Sequence, residues 1–241
     1  MTDTVQTARP ADETTEFVGK IGLVGVIGLA LVLAVHPFGT TDLYDDGLEF
    51  LDHVNWYWLT LHVVGALLFL SWPPVIDAWA QRLTDARARV VGHWAHMMSI
   101  AGVAVGTVHL IGTDMMTFWA FKDTFEDSDG SEAAQVGADV LLRLHAATLS
   151  SWVLIFFLAV PLLAGVAALL DGRYPRWVGY VGVVGGALQL PALLITLSER
   201  QWTTLSEQFI FRTGATLFIV FMLAIAWSLK RGAPVGTAVR V

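Results

Sequence analysis

Three of the seven histidines sit on different long stretches that carry no acidic or basic side chain and at comparable depth in them: His62 in His53–Ile76, His109 in Val90–Thr113 and His145 in Leu144–Leu170. An ionisable group in hydrocarbon is costly and marks a partner, a ligand or a proton path. If each stretch crosses a membrane, a rise of about 1.5 Å per residue puts His62 roughly 12 Å, His109 roughly 7–18 Å and His145 roughly 9 Å below one face. Arg212, which follows Glu207 by five residues, falls roughly 8 Å below the same face. Neutral imidazoles from three helices can ligate zinc, copper or iron and leave a fourth position open. A pair of them could instead hold haem b axially, with Arg212 on a propionate. The same four groups could relay protons or attract anions. The plain alternative is that each histidine only hydrogen-bonds a neighbouring helix. Cysteine is absent from the chain, so thiolate sites, disulfides and cysteine nucleophiles are excluded.

Helix faces bear on whether these groups meet. Gly102, Gly106 and His109 share one stripe; Asn55, Trp58, His62, Gly65 and Phe69 share another; His145, Thr148 and Trp152 share a third. Mixed polar and small stripes face protein rather than lipid. His93 and His96 are neighbours on one helix face, and with Arg87 and Arg89 close by they read as a cytoplasmic interfacial patch. His96 and His109 stand about 140° apart around the axis, which weakens a stacked two-haem arrangement.

The elements that must position these residues are set by composition. Of the 241 residues, 55% are hydrophobic and only 15% charged, and the mean hydropathy is +0.62. That balance excludes a disordered chain and an ordinary water-soluble enzyme. A net charge of -7 gives no attraction to nucleic acid. Uncharged stretches at Ile21–Thr41, His53–Ile76, Val90–Thr113, Leu144–Leu170, Trp177–Ser198 and Thr213–Leu229 predict six membrane helices, each near the 20 or so apolar residues a span needs. Ten of the fourteen bases fall in residues 1–20, after span two, after span four and after span six. Positive residues mark the cytoplasmic side, so both termini are expected inside, in the cell membrane. The alternate segments are acidic: 42–53 holds five acids and no base, and 114–139 holds seven acids against Lys122. A solvated, repelling surface explains them, as no EF-hand spacing is present. Trp56, Tyr57, Trp58, Trp119, Tyr174 and Trp177 cluster at span ends, where amphipathic rings sit at the headgroups. The first span is too long and wrongly flanked for a cleavable signal peptide.

The expected architecture is therefore an all-α polytopic bundle: a polar tail over 1–17, a six-span membrane domain over 18–231 and a short tail over 232–241. Gly102/Gly106 and Gly182/Gly186 suit close helix packing. Pro73-Pro74 in span two and Pro191 in span five fall at corresponding places in the two halves, the pattern of an inverted-repeat transporter. No GxSxG, HExxH or phosphate loop occurs. No lysine lies within a span, which excludes a retinal Schiff base.

Across Asp139–Leu190, His145 precedes a small-residue run and a basic turn, and Pro175, Arg176 and Trp177 then open a span carrying Gly179, Gly182 and Gly186. This segment, about a fifth of the chain, resembles the domain-of-unknown-function family numbered 4386. The resemblance implies a six-helix membrane fold and no particular reaction. The leading expectation is a metal- or haem-binding site, suited to redox work, at His62, His109, His145 and Arg212 near the outer face. An ion or small-molecule transporter and a structural or accessory subunit are the rivals. Whether the chain is an enzyme stays open. The bilayer is the expected partner, with room for a membrane-protein partner or a homo-oligomer.

Overall fold

Where the helices begin is decided by caps and ion pairs as much as by hydropathy. A computed structural model describes residues 13–35, 56–118, 131–199 and 205–232. The acidic segment 42–53, residues 119–130 of the second acidic segment, and His36 and His53 lie outside these residues. Six helices among the described residues are long and apolar enough to cross a membrane: Glu13–Val35, Trp56–Ala80, Ala86–Thr113, Glu132–Asp171, Arg176–Leu194 and Phe209–Arg231. No strand occurs among the described residues. The described residues thus have the all-helical architecture, with six helices able to span a bilayer, of a multi-pass membrane protein.

Span one starts at Glu13, inside the stretch expected as a tail, because Glu16 and Lys20 neutralise one another one turn apart at 2.7 Å. Span three starts at Ala86, where Asp85 accepts hydrogen bonds from the N–H groups of Arg87 and Ala88 and so satisfies two of the free donors of a helix start. Span four starts at Glu132 behind Ser131, whose hydroxyl accepts from Ala134 N. Its 40 residues are about twice what the hydrocarbon requires. It stops at Asp171 because Gly172 turns the chain at a φ of 68°.

Prolines break the spans where the sequence placed them. Span two divides between Phe69 and Trp72, with Pro73 and Pro74 opening its second half. Span five divides between Ala187 and Gln189, four residues and two residues ahead of Pro191, which has no N–H to return to the Ala187 carbonyl. Two π-helical segments, Val108–Phe118 in span three and Val153–Ala159 in span four, have no such signature in advance. The second of them runs into Pro161.

Each span packs against its neighbours in sequence, and span one closes on span six, so the six form a ring. Glycine sets the distance between them. A Cβ on Gly165 of span four would stand 2.6 Å from Val183 N and 2.7 Å from Gly179 O of span five, so backbone rests on backbone there. Aromatic rings fill the middle: Trp72, Phe218, Phe156, Phe157, Phe69 and Trp152 make a continuous chain of contacts at centroid distances of 4.9–5.9 Å. At one end the bundle is clasped by polar groups. The Asp171 carboxylate, with no exposed side-chain surface, accepts from Thr84 N at 2.6 Å, from Asp85 N at 3.1 Å and from Arg173 Nε at 2.7 Å. Arg173 also donates to the Arg82 carbonyl, and Arg82 to the Gly232 carbonyl. The turns after spans two, four and six are thereby tied together.

These contacts set two expected outcomes. Gly165→Leu forces apart two backbones and costs about 1–3 kcal/mol, read as a lower thermal midpoint in detergent. Gly65→Ala, whose Cβ would meet only Val32 Cγ1 at 3.9 Å, leaves that midpoint unchanged or higher. Asp85 is held below the usual carboxylate range by the Ala88 N–H, against some desolvation. Its folded value is depressed, so its contribution is complete above the unfolded value of about 3.9 and is lost as pH falls through the folded one. Asp85→Asn keeps an oxygen acceptor at the cap. An acid scan of thermal midpoints should lose this component in that variant while retaining the rest.

Candidate functional site

His109 sits second in the π-helical segment of span three and is 2% exposed. It lies about 35 Å along the axis from Ala86, at the end of the bundle away from the Asp171 clasp. Gly102 and Gly106, two turns and one turn earlier, are buried against Phe156 and Trp152 of span four. This confirms the expected small-residue stripe as a packing face. From span four, His145, Thr148 and Trp152 come to the same place, while Leu144, Ala147 and Ser151 of the same helix are exposed. The His109 and His145 rings are 4.8 Å apart between centroids, and the His109 and Trp152 rings 5.6 Å. Of the three histidines expected in one layer, the structure pairs two.

Hydrogen bonds fix how His109 is protonated. Its Nδ1 lies 3.0 Å from Thr148 Oγ1. The Thr148 hydroxyl is placed to donate to the carbonyls of Leu144 and His145, each at 3.0 Å. A hydroxyl has one proton, so Thr148 that donates to backbone accepts from His109, whose Nδ1 then carries a proton. Thr113, one turn past His109, adds a hydroxyl 3.5 Å from that of Thr148.

His62 is held in the same tautomer by a different device. Its Nδ1 stands 2.7 Å from the Trp58 carbonyl, and since a carbonyl only accepts, Nδ1 bears the proton. The ring is buried at 6% exposure and lies 3.8 Å from the Trp58 ring. An Nδ1–H held by a carbonyl or hydroxyl is an arrangement found behind metal-binding imidazoles. Among the described residues, however, no group of three or more His, Cys, Asp or Glu is placed to hold a metal ion. His62 therefore does not complete a described triad with His109 and His145. Arg212 is exposed, on the same stripe of span six as Phe209, Thr216 and Val220, while Phe211, Ala215 and Phe218 face inward. It stands on the outer side of the ring, not among the buried imidazoles.

At the clasp half, His96 Nδ1 donates to the Pro73 carbonyl at 3.1 Å, linking spans three and two, and His93 is exposed with its ring 6.1 Å from that of His96. Sequence reasoning passed over two groups. Thr113 carried a signal, since it follows His109 by one turn on the same face. Gln189, 0% exposed with its Nε2 3.3 Å from the Phe211 carbonyl, carried one too: an amide alone in an apolar span must find a partner.

Six apolar helices closed around an aromatic middle, with the buried His109 beside the half-buried His145 at one end, are the arrangement of a multi-pass membrane protein. Set against models of protein families, curated proteins and solved structures, the chain finds no match.

The Thr148 hydroxyl is the group on which the His109 geometry turns. Thr148→Val keeps the shape, removes the acceptor and leaves a buried N–H, at a cost of about 1–3 kcal/mol. The loss should appear both in the thermal midpoint and in the 15N shifts that report the His109 tautomer. Thr148→Ser restores both.

Proposed function

We propose that this protein binds a transition-metal ion through His109 and His145, near the outer face of the cell membrane, with both termini in the cytoplasm. The observation that carries this reading is the 4.8 Å between the two rings. With a metal–nitrogen bond of about 2.0–2.1 Å, two imidazoles sharing one ion at 90–110° have centroids about 4.5–5.2 Å apart, and opposed axial ligands about 6.4 Å. The pair suits one ion between adjacent imidazoles better than a haem iron between opposed ones. Nitrogen ligands with no thiolate favour copper or zinc, and copper most strongly. Copper would give the site a redox role; zinc would not. The orientation rests on the sorting of bases to the segments after spans two, four and six. The likeness of Asp139–Leu190 to family 4386 belongs to the same reading and adds no reaction to it.

Transport is the second reading. It is favoured by the breaks at Leu70–Ser71 and Leu188, at corresponding places in the two halves, where broken helices build substrate sites. The ring of aromatic side chains below His109 argues instead for a local site.

Purified in detergent, loaded with copper or zinc and dialysed, the chain should retain about one ion per molecule. His109→Ala and His145→Ala each lose it, and His62→Ala keeps it. No retained ion in the wild type, or wild-type retention by either the His109→Ala or the His145→Ala chain, would overturn the reading. A haem absorption spectrum in the purified protein would replace the ion by haem.

A further inference from the structure

We propose that the clasp end of span six binds the headgroup of an anionic phospholipid through Trp227, Lys230 and Arg231, at a site open sideways to the bilayer. The site lies at the opposite end from the imidazole pair and does not depend on the ion reading.

Trp227 is 39% exposed, one turn before span six ends at Arg231. The bases three and four residues further on both stand over its ring: Lys230 Nζ is 5.0 Å and the Arg231 guanidinium carbon 4.6 Å from the centroid. The face of an indole attracts a cation, and a base in the last turn complements the carbonyls left free at a helix end. Neither effect cancels the charge. Two like charges at one ring repel, and an anion between them relieves the repulsion. Ammonium and guanidinium carry several donors each, so contact with the ring leaves N–H groups to bond a phosphate oxygen.

Protein carboxylates do not meet this need. Among the described residues neither Lys230 nor Arg231 forms an ion pair. Glu16, on the span that packs against span six, is held by Lys20 at 2.7 Å. Asp77 accepts from Gln81, Asp85 caps span three and Asp171 belongs to the clasp, while Glu13 is exposed at the first residue of span one. Arg82 brings a third cation to the same turn, since it donates to the carbonyl of Gly232, the residue after Arg231. A chain of net charge -7 thus carries a local positive patch.

The indole decides for a lipid over a free anion. It lies about 6 Å inward of Arg231 along the axis, with its exposed face toward the bilayer where amphipathic rings sit at the headgroup boundary. A phospholipid can lay its glycerol and first methylenes on Trp227 while its phosphate meets the two bases; inorganic phosphate gains nothing from the ring. A zwitterionic headgroup brings its own cation to the bases and is disfavoured. Trp94 with Arg89 and Trp177 with Arg176 are also exposed at this end, but among the described residues no base stands over either ring.

The full chain, reconstituted in phosphatidylcholine vesicles, is titrated with dibrominated phosphatidylglycerol or, in a paired series, dibrominated phosphatidylcholine. Bromine quenches a nearby indole, and comparing each chain with the same chain carrying Trp227→Phe isolates the Trp227 signal. Half-maximal quenching should need about a ten-fold lower fraction of the anionic lipid, the preference expected when two bases face one headgroup. Lys230→Gln with Arg231→Gln should bring the two curves together, whereas the exchange Lys230→Arg with Arg231→Lys keeps the charge and should keep the preference. Arg89→Gln with Arg176→Gln removes equal charge from the same end and should leave the preference intact, as should millimolar inorganic phosphate. Equal quenching by the two lipids in the wild type, an equal loss in the Arg89/Arg176 chain, or displacement by inorganic phosphate would overturn the proposal.

Discussion

Helices in lipid gain little by hiding apolar surface from one another, because the lipid is as apolar as they are. What holds this bundle together is close contact, and close contact depends on glycine. Gly165 and Gly182 bring spans four and five backbone to backbone; Gly19 does the same for spans one and six, where a Cβ would stand 2.4 Å from Lys230 N. At such distances many weak dispersion contacts add up. The aromatic rings then fill the space that six helices in a ring leave at their centre.

The polar site is a consequence of that packing. Gly106 lets Trp152 lie on span three, and the same approach brings Thr148 within hydrogen-bonding distance of His109 and His145 within 4.8 Å of it. Both buried imidazoles, His62 and His109, are fastened through Nδ1, one to a carbonyl of its own helix and one to a hydroxyl of the next. The difference matters. His62 would keep its tautomer in an isolated helix, whereas His109 keeps its own only while spans three and four stay in register. The π-helical segments, Val108–Phe118 and Val153–Ala159, flank this contact from both helices. A π turn admits an extra residue and rotates the helix beyond it, so the register of His109 and of the residues after Trp152 is set locally there.

The opposite end obeys different physics. Asp171, Arg173, Thr84 and Arg82 join three turns through charge-assisted hydrogen bonds, which are stronger than neutral ones. The ties between turns gather at this end, and the imidazole pair lies at the other.

Much of this was written in the chain. Apolar length gave six spans, prolines gave the breaks in spans two and five, and spacing along each helix gave the stripes carrying His109, His145, Thr148 and Trp152. These are local properties, fixed by the period of the helix and the chemistry of single residues. Depth along a span is local as well, which is why His62, His109, His145 and Arg212 fall in one layer when only the spacing is considered. Rotation about the helix axis relative to a neighbour is not local. It is settled by which side chains interlock across the interface, and only the tertiary structure decided that His109 meets His145 and that Arg212 stands on the outer side of the ring.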